Sequence, residues 1–155
     1  MAHELELRLP PQPVVVTCDC MRIEQVANNL ISNAIKYSPG GGRVMIDVAE
    51  EDGEATLTVR DEGVGIDTED LEVIFDPFRR AQRAAGGGVP GVGIGLYISR
   101  LIVEAHGGRI EAHSTQGRGS QFRVVLRTRA APIESEFVVS AGLRQARANQ
   151  IRYGS

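Results

Sequence analysis

The sequence has no excess of positive charge, no long apolar stretch and no cysteine pair at a bridging or metal-binding spacing. Each lack removes a class of function. Lysine and arginine number 17 against 20 aspartates and glutamates, a formal net charge of −3. The chain therefore has no bulk electrostatic means of neutralising a phosphate backbone, and no nucleic-acid partner is expected. Any anion must be held locally. No run approaches the roughly 18 apolar residues that cross a bilayer. The opening Met1-Ala2-His3-Glu4 lacks a basic stretch followed by an apolar one, so a soluble, cytoplasmic piece is expected. Cys18 and Cys20 alternate as on one face of a strand, without redox or zinc spacing, and read as reduced, partly buried thiols. No internal repeat is visible. What is present is 155 residues, 42% hydrophobic and 24% charged, the size and balance of one globular domain with its own core.

Periodicity orders the elements. Glu4 to Leu9 alternates polar and apolar residues, the period of a strand with one buried face, and Val14-Val15-Val16 continues as an extended segment. Asp19 is a good N-cap for a helix whose Ile23, Val26, Ala27, Leu30, Ile31, Ala34 and Ile35 follow 3-4 spacing until Ser38-Pro39-Gly40 stops it. Val44, Ile46 and Val48 alternate, Glu51-Asp52-Gly53 turns, and Leu57 and Val59 alternate again, which predicts a hairpin. A short helix is expected around Asp70 to Phe75, then a mobile, glycine-rich loop from Arg79 to Gly91. Leu96, Ile98, Leu101, Ile102 and Ala105 suit a buried helix from about Gly95 to His106, capped by Gly107. A last hairpin pairs Arg109 to Ser114 with Ser120 to Leu126 around Gly117-Arg118-Gly119, placing Phe122, Val124 and Leu126 on one face. Beyond Arg129 the pattern breaks down, and Ala141 to Tyr153 is at most a short helix. The sum is a two-layer α/β sandwich, about five or six strands in one mixed sheet with three helices on one face.

Some residues exceed what packing requires. Asn29, Asn33 and Lys36 recur along one stripe of the first helix, beside the apolar one. Asparagine is a poor helix former, at a few tenths of a kcal/mol each relative to alanine. A solvated helix face is the plain alternative. As ligands, neutral amide oxygens suit Mg²⁺, which takes few protein ligands and completes its shell with water and phosphate oxygens. A lysine further along the same stripe can meet the phosphates.

Asp61-Glu62-Gly63-Val64-Gly65 sets a carboxylate at a strand end before glycines that let a flat ligand approach the backbone. Adenine fits, because its exocyclic amine donates to a carboxylate, and a mismatch in a dry pocket leaves a polar group unpaired. An ordinary glycine-rich turn is the alternative. Gly91-Val92-Gly93-Ile94-Gly95 runs into a helix start, where free N–H groups and the helix dipole attract phosphate. No parallel βαβ unit surrounds it, so a dinucleotide fold is excluded. Phe75-Asp76-Pro77-Phe78 with Arg79 and Arg80 opens the loop, the aromatics as core anchors and the arginines as surface residues or phosphate contacts on a closing lid.

Together and in this order, these segments resemble the histidine-kinase branch of the GHKL ATPase superfamily, which also contains gyrase, the heat-shock chaperone ATPases and mismatch-repair MutL. The likeness spans roughly Arg22 to Leu126. Asn29 to Tyr37 is similar to the N box, Asp61 to Gly65 to the first glycine box, Phe75 to Phe78 to the F box, and Gly91 to Gly95 to the second glycine box. Gly117-Arg118-Gly119-Ser120-Gln121-Phe122 is similar to the last glycine box. The resemblance implies an α+β Bergerat fold, a mainly antiparallel sheet of about five strands covered by three helices, with residues 1–129 the ATP-binding catalytic domain and 130–155 an extension. It implies ATP and Mg²⁺ as cofactors: Asn33 on the metal, Asn29 and Lys36 on phosphates, Tyr37 packed near the adenine, Asp61 on its amine, and Arg80 as the lid arginine. Gly63, Gly65, Ile66, Gly91, Val92, Gly93, Ile94, Gly95, Leu96 and Ser120 would complete the nucleotide site, with Asn29, Lys36 and Arg80 the catalytic set. Asp76 stands where glutamate is usual, Val92 where threonine is frequent and Ser120 where threonine is usual, all small changes that leave the key groups in place.

One position separates the branches. Where the gyrase, MutL and chaperone ATPases carry a water-activating glutamate, this chain has Asn29. An amide cannot take that proton, so the resemblance implies transfer to an acceptor that brings its own nucleophile, a protein-histidine kinase. The acceptor histidine lies in the family on a helix hairpin before this domain, and the residues ahead of Asn29 give no room for it. His3-Glu4-Leu5 runs into a strand pattern and is assigned to chance, while His106 and His113 read as structural. The expected partners are a histidine-bearing dimerisation domain and a response regulator, the isolated domain being monomeric and its parent free to be membrane-anchored. The alternatives are a stand-alone serine kinase of the anti-sigma type, which generally keeps the glutamate, and a nucleotide-sensing module without transfer.

Overall fold

The structure, a computed structural model, describes residues 2–78 and 93–129 and the backbone of 137–138. Its elements are β1 (His3–Arg8), β2 (Val15–Val16), α1 (Cys20–Lys36), β3 (Gly42–Glu51), β4 (Glu54–Asp61), α2 (Thr68–Leu71), α3 (Gly95–Ala105), β5 (Arg109–Thr115), β6 (Gly119–Arg127) and β7 (Phe137–Val138). The first sheet has five strands in the order β1-β3-β4-β6-β5. Only β1 runs parallel to its neighbour, and the other pairs are antiparallel. This is the two-layer arrangement that the periodicity predicts, and the α+β, mainly antiparallel sheet of five strands covered by three helices that the resemblance implies.

Local chemistry explains the elements. The Asp19 carboxylate accepts the Arg22 N–H at 3.1 Å and starts α1, and the Tyr37 N–H closes the helix on the Asn33 carbonyl at 2.9 Å. Pro39 is incompatible with further helix. Asp52 and Gly53 have φ of 51° and 77°, the two left-handed residues that a tight hairpin between twisted strands requires. Val26, Leu30, Val44 and Val103 have no solvent exposure, and they lie between the helices and one sheet face. Truncating a side chain such as Leu30 to alanine costs about 2–5 kcal/mol.

Several expectations are corrected. The short helix starts earlier, at Thr68, because Asp67 caps it through Glu69 N–H at 3.2 Å. From Glu72 to Phe75 the chain is in turns, not helix. On α3 the buried residues are Ser99 and Val103, while Leu101 is 45% exposed and Ala105 is also exposed. The inner face of α3 thus takes a serine where it meets α1; of the expected apolar residues Leu96 and Ile102 do pack on the core, and Leu101 and Ala105 do not. Cys20 is the first residue of α1 and Cys18 precedes the helix, so the two do not share a strand. Both are free thiols, and burial pushes Cys18 up to about 11. Beyond Arg129, β7 returns to pair antiparallel with β2. The expected mobile loop and the expected helix from Ala141 to Tyr153 lie outside the described residues.

α1 and α3 pack antiparallel and are joined where α1 begins and α3 ends, and again in mid-helix. The Asp19 N–H donates to His106 Nε2 at 3.0 Å, and Asn29 Nδ2 donates to Ser99 Oγ at 3.0 Å. His106 Nδ1 is 2.7 Å from the Ile102 carbonyl, consistent with the structural role expected for that residue. No described helix is long and apolar enough to cross a membrane.

Candidate functional site

Strand period places a charge where a core residue belongs. Ala55, Leu57, Val59 and Asp61 alternate on β4, and all four are buried, Asp61 at 4% exposure. On the adjoining strands Ser120 precedes Phe122, Val124 and Leu126 in the same alternation, and Ser114 follows Ile110 and Ala112. Three neighbouring strands thus end, on the helix side, in a carboxylate and two hydroxyls.

Asp61 Oδ1 accepts the Gly63 N–H at 2.9 Å and the Ser120 N–H at 3.2 Å. Burial raises the Asp61 carboxyl above its ordinary value, and these two N–H donors oppose the rise without cancelling it. Among the described residues Oδ2 accepts no hydrogen bond, which leaves one acceptor for a ligand donor. Ser114, expected only as the end of a strand, holds the wall together: its Oγ accepts the Ile66 N–H at 2.7 Å, donates to the Gly119 carbonyl at 2.8 Å and lies 3.0 Å from Ser120 Oγ. Its position as the last core-facing residue of β5 was the signal available.

The backbone of this wall is tightly packed. A Cβ at Gly63 would strike the Tyr37 carbonyl and the Ser38 hydroxyl, and one at Gly65 the Thr115 carbonyl. At Gly119, where φ is +95°, it would strike the Asp61 carbonyl. The Val64 N–H donates to the Tyr37 carbonyl at 3.0 Å, so the glycine-rich turn rests on the C-terminal end of α1. Ser38, 2% exposed, donates through Oγ to the Ala34 carbonyl at 2.8 Å, and its own carbonyl lies 2.9 Å from His3 Nε2.

α1 carries the second half of the site. Asn29, Asn33, Lys36 and Tyr37 are all half-buried. The Lys36 ammonium lies 5.3 Å from the centroid of the Tyr37 ring, a cation–π distance. Asn29 faces the start of α3, its carboxamide against Gly95. No side chain caps that end of α3, and its first N–H groups are the kind that receive an anion.

The structure therefore brings together Asp61, Gly63, Gly65, Ile66 and Ser120 as one wall, Tyr37 at its junction with α1, and Asn29 beside Gly95. Gly93, Ile94 and Leu96 flank that junction of α1 with α3, Leu96 packed on the core. Arg80, Gly91 and Val92 lie outside the described residues, bracketed by a bond from Phe78 N–H to the Gly93 carbonyl at 3.1 Å. Of the F-box aromatics Phe75 anchors, edge-to-face with Phe122 at 6.5 Å, whereas Phe78 is 75% exposed.

Residues 18–130 match the family described as histidine kinase-, DNA gyrase B-, and HSP90-like ATPase. The chain belongs to that family. Its folded core is a histidine-kinase ATP-binding domain of the GHKL type. It is 44% identical over 120 residues to the sensor histidine kinase WalK of Bacillus subtilis, covering 76% of this chain and 20% of that protein. It is 39% identical over 112 residues to the sensor protein SrrB of Staphylococcus aureus, covering 72% and 19%. The chain thus spans about a fifth of the length of these curated relatives. Among solved structures, a mycobacterial sensor histidine kinase MprB superposes with TM-score 0.72 at 31% identity, covering 81% of this chain and 84% of that one. Full-length ShkA in complex with AMPPNP gives 0.69 at 28%, covering 84% and 27%.

The site residues suit the nucleotide that this family binds. Among the described residues Asp61 keeps one carboxylate oxygen without a hydrogen bond, between two close-packed glycine turns, so a flat base with an exocyclic donor can sit against backbone. Among the described residues no cluster of three His, Cys, Asp or Glu could hold a metal. A cation here would rest on amide oxygens and the ligand's own phosphates, the donor set that Mg²⁺ accepts.

Proposed function

We propose that the chain is the catalytic domain of a two-component sensor histidine kinase, transferring the γ-phosphoryl group of ATP to a histidine on a separate dimerisation domain. The observation that carries this reading is the chemistry of the α1 stripe. Its three polar positions are two amides and an ammonium, and Asn29 spends its amide N–H on Ser99. Asp61 belongs to the base-binding wall and is held by two backbone donors. Neither arrangement offers a general base to water, so the nucleophile comes from the acceptor.

In this reading Asp61 Oδ2 takes the adenine amine, Tyr37 packs near the base, and Gly63, Gly65, Ile66 and Ser120 shape the wall. Asn33 ligates Mg²⁺, which neutralises phosphate charge when bound, and Asn29, Lys36 and the start of α3 around Gly93 to Leu96 position the phosphates. Arg80 with Gly91 and Val92 closes over them. Phosphoryl transfer needs placement and charge neutralisation more than covalent help, and these groups supply both. Residues 1–129 form the nucleotide-binding unit and 130–155 an extension. The partners are the parent's histidine hairpin and a response regulator, the setting cytoplasmic.

The test is phosphotransfer from labelled ATP to the parent's histidine hairpin supplied in trans. Acid-labile, base-stable label on the hairpin is expected. An acid-stable phosphoprotein would instead favour the serine-kinase reading, and ATP binding with no labelled acceptor would favour a nucleotide sensor.

A further inference from the structure

Ser99 is the one polar side chain on the buried face of α3. It is 2% exposed and belongs to none of the five boxes. A serine in mid-helix, surrounded by core, has little packing value, and a buried hydroxyl is retained where it is hydrogen-bonded. Its partner is Asn29 Nδ2 at 3.0 Å, across 70 residues of sequence. On the other side of the same carboxamide lies Gly95: a Cβ there would come within 2.5 Å of Asn29 Oδ1 and 3.1 Å of its Cγ. The amide is therefore clamped, its nitrogen held by Ser99 and its oxygen lying over a residue with no side chain. Among the described residues that oxygen accepts no hydrogen bond.

We propose that Ser99 is a positioning residue for the phosphate end of the site. By taking the Asn29 N–H it holds the carboxamide in one rotamer with Oδ1 at the start of α3 before ligand arrives; an oxygen acceptor there would act on the phosphates through Mg²⁺ or its waters, which ties Ser99 to the Mg²⁺-dependent part of ATP affinity. Gly95 supplies the room for this. An asparagine without such a partner turns freely about its last two torsions and presents either end of the amide, so that its ordering must be completed on binding, at a cost in affinity. Burial and geometry favour this over simple helix docking, since an alanine at 99 would serve the helix contact as well, and only the hydroxyl answers the Asn29 N–H.

The inference rests on the Mg-ATP reading above, and its test separates the two. Ser99→Ala and Ser99→Cys are made in the full chain beside Asp61→Asn. Three quantities are measured: the melting temperature without ligand, the ATP dissociation constant with and without Mg²⁺, and the side-chain amide resonances of Asn29 in the ligand-free protein. Wild type binding ATP more tightly with Mg²⁺, and losing it in Asp61→Asn, upholds the underlying reading; no ATP binding by folded wild type would sink that reading and leave the ligand-free resonances to judge Ser99. In Ser99→Ala the Asn29 amide protons are expected to exchange with water at least threefold faster, and the gain in affinity conferred by Mg²⁺ is expected to fall at least threefold, at a melting temperature close to wild type. Ser99→Cys, which keeps the shape and a weak acceptor, should fall between the two. Unchanged Asn29 resonances together with an unchanged Mg²⁺ gain in Ser99→Ala would overturn the proposal. So would loss of melting temperature in equal measure in both variants with no change in either quantity, which is the behaviour of a packing residue.

Discussion

The two halves of the site are held by different kinds of bond. At the Asp61 half, backbone groups do most of the work: two N–H donors on one carboxylate oxygen, a carbonyl on Ser114, and glycines whose missing Cβ atoms leave no spare volume. At the α1 half, side chains on helices do it, Asn29 on Ser99 and Lys36 against Tyr37. Backbone cannot change its hydrogen-bonding inventory by mutation, and side chains can. The first half is therefore a fixed mould and the second an adjustable grip, a division that would suit the proposed reading, in which one base is recognised while the phosphates are handed on.

Three substitutions probe that contrast. Gly119→Ala has the largest expected effect, because the added carbon meets the Asp61 carbonyl at a φ of +95° that alanine resists. It should lower stability by more than about 2 kcal/mol and abolish ATP binding, read by chemical denaturation and by calorimetry. A variant with wild-type stability would show the mould to be looser than its packing implies.

Asp61→Asn comes next and should split binding from folding. An amide oxygen can still accept from Gly63 and Ser120, while its NH₂ would face the adenine amine donor to donor, so ATP affinity should fall by about 100-fold, the scale of one unpaired buried group. Stability should move the other way, with a sign set by linkage. The folded Asp61 pKa is raised, so the native state binds the proton more readily than the unfolded chain, and wild type loses stability as pH rises from the ordinary carboxylate range through the raised value. The variant has no such loss. Its advantage should be absent at low pH, grow across that window and then level off, as thermal melts from pH 3 upward would reveal. An advantage that shrank with rising pH would contradict the assignment.

Asn33→Ala should be the mildest for the fold, since alanine is the better helix former by a few tenths of a kcal/mol. The melting temperature should hold or rise slightly, and only the Mg²⁺-dependent part of ATP affinity should disappear. Equal loss with and without Mg²⁺ would move Asn33 from the metal to the base or the phosphates.

What could be read in advance follows from how far each interaction reaches. The cap at Asp19, the stripe of Asn29, Asn33 and Lys36, and both hairpins are local, fixed within a few residues by periodicity and turn chemistry. Asp61 and its glycines were legible because a strand end and a turn announce themselves. Ser99 was not, for its partner lies 70 residues away and a serine carries no periodic signal when its neighbours are apolar; the alternation of β5 marked Ser114 as core-facing, but its bond to the Ile66 N–H, 48 residues away, is fixed only by the fold. The same gap put Leu101 on the inner face of α3 beside Leu96 and Ile102, which do pack there, and passed over Ser99, where α3 meets α1. β7 escaped notice because a two-residue strand is defined by its pairing with β2 alone.

The hydrogen bond from the Ser120 N–H to Asp61 spans 59 residues and crosses the seam between the β3–β4 hairpin and the β5–β6 hairpin. Each hairpin closes a short loop and can form early, whereas the seam between them is a long-range contact that comes late. The Asp61 carboxylate thus acquires its final geometry only when the two hairpins dock. A full-length chain with only one hairpin formed carries every box of the motif and still has no mould, so nucleotide recognition is tied to completion of the sheet.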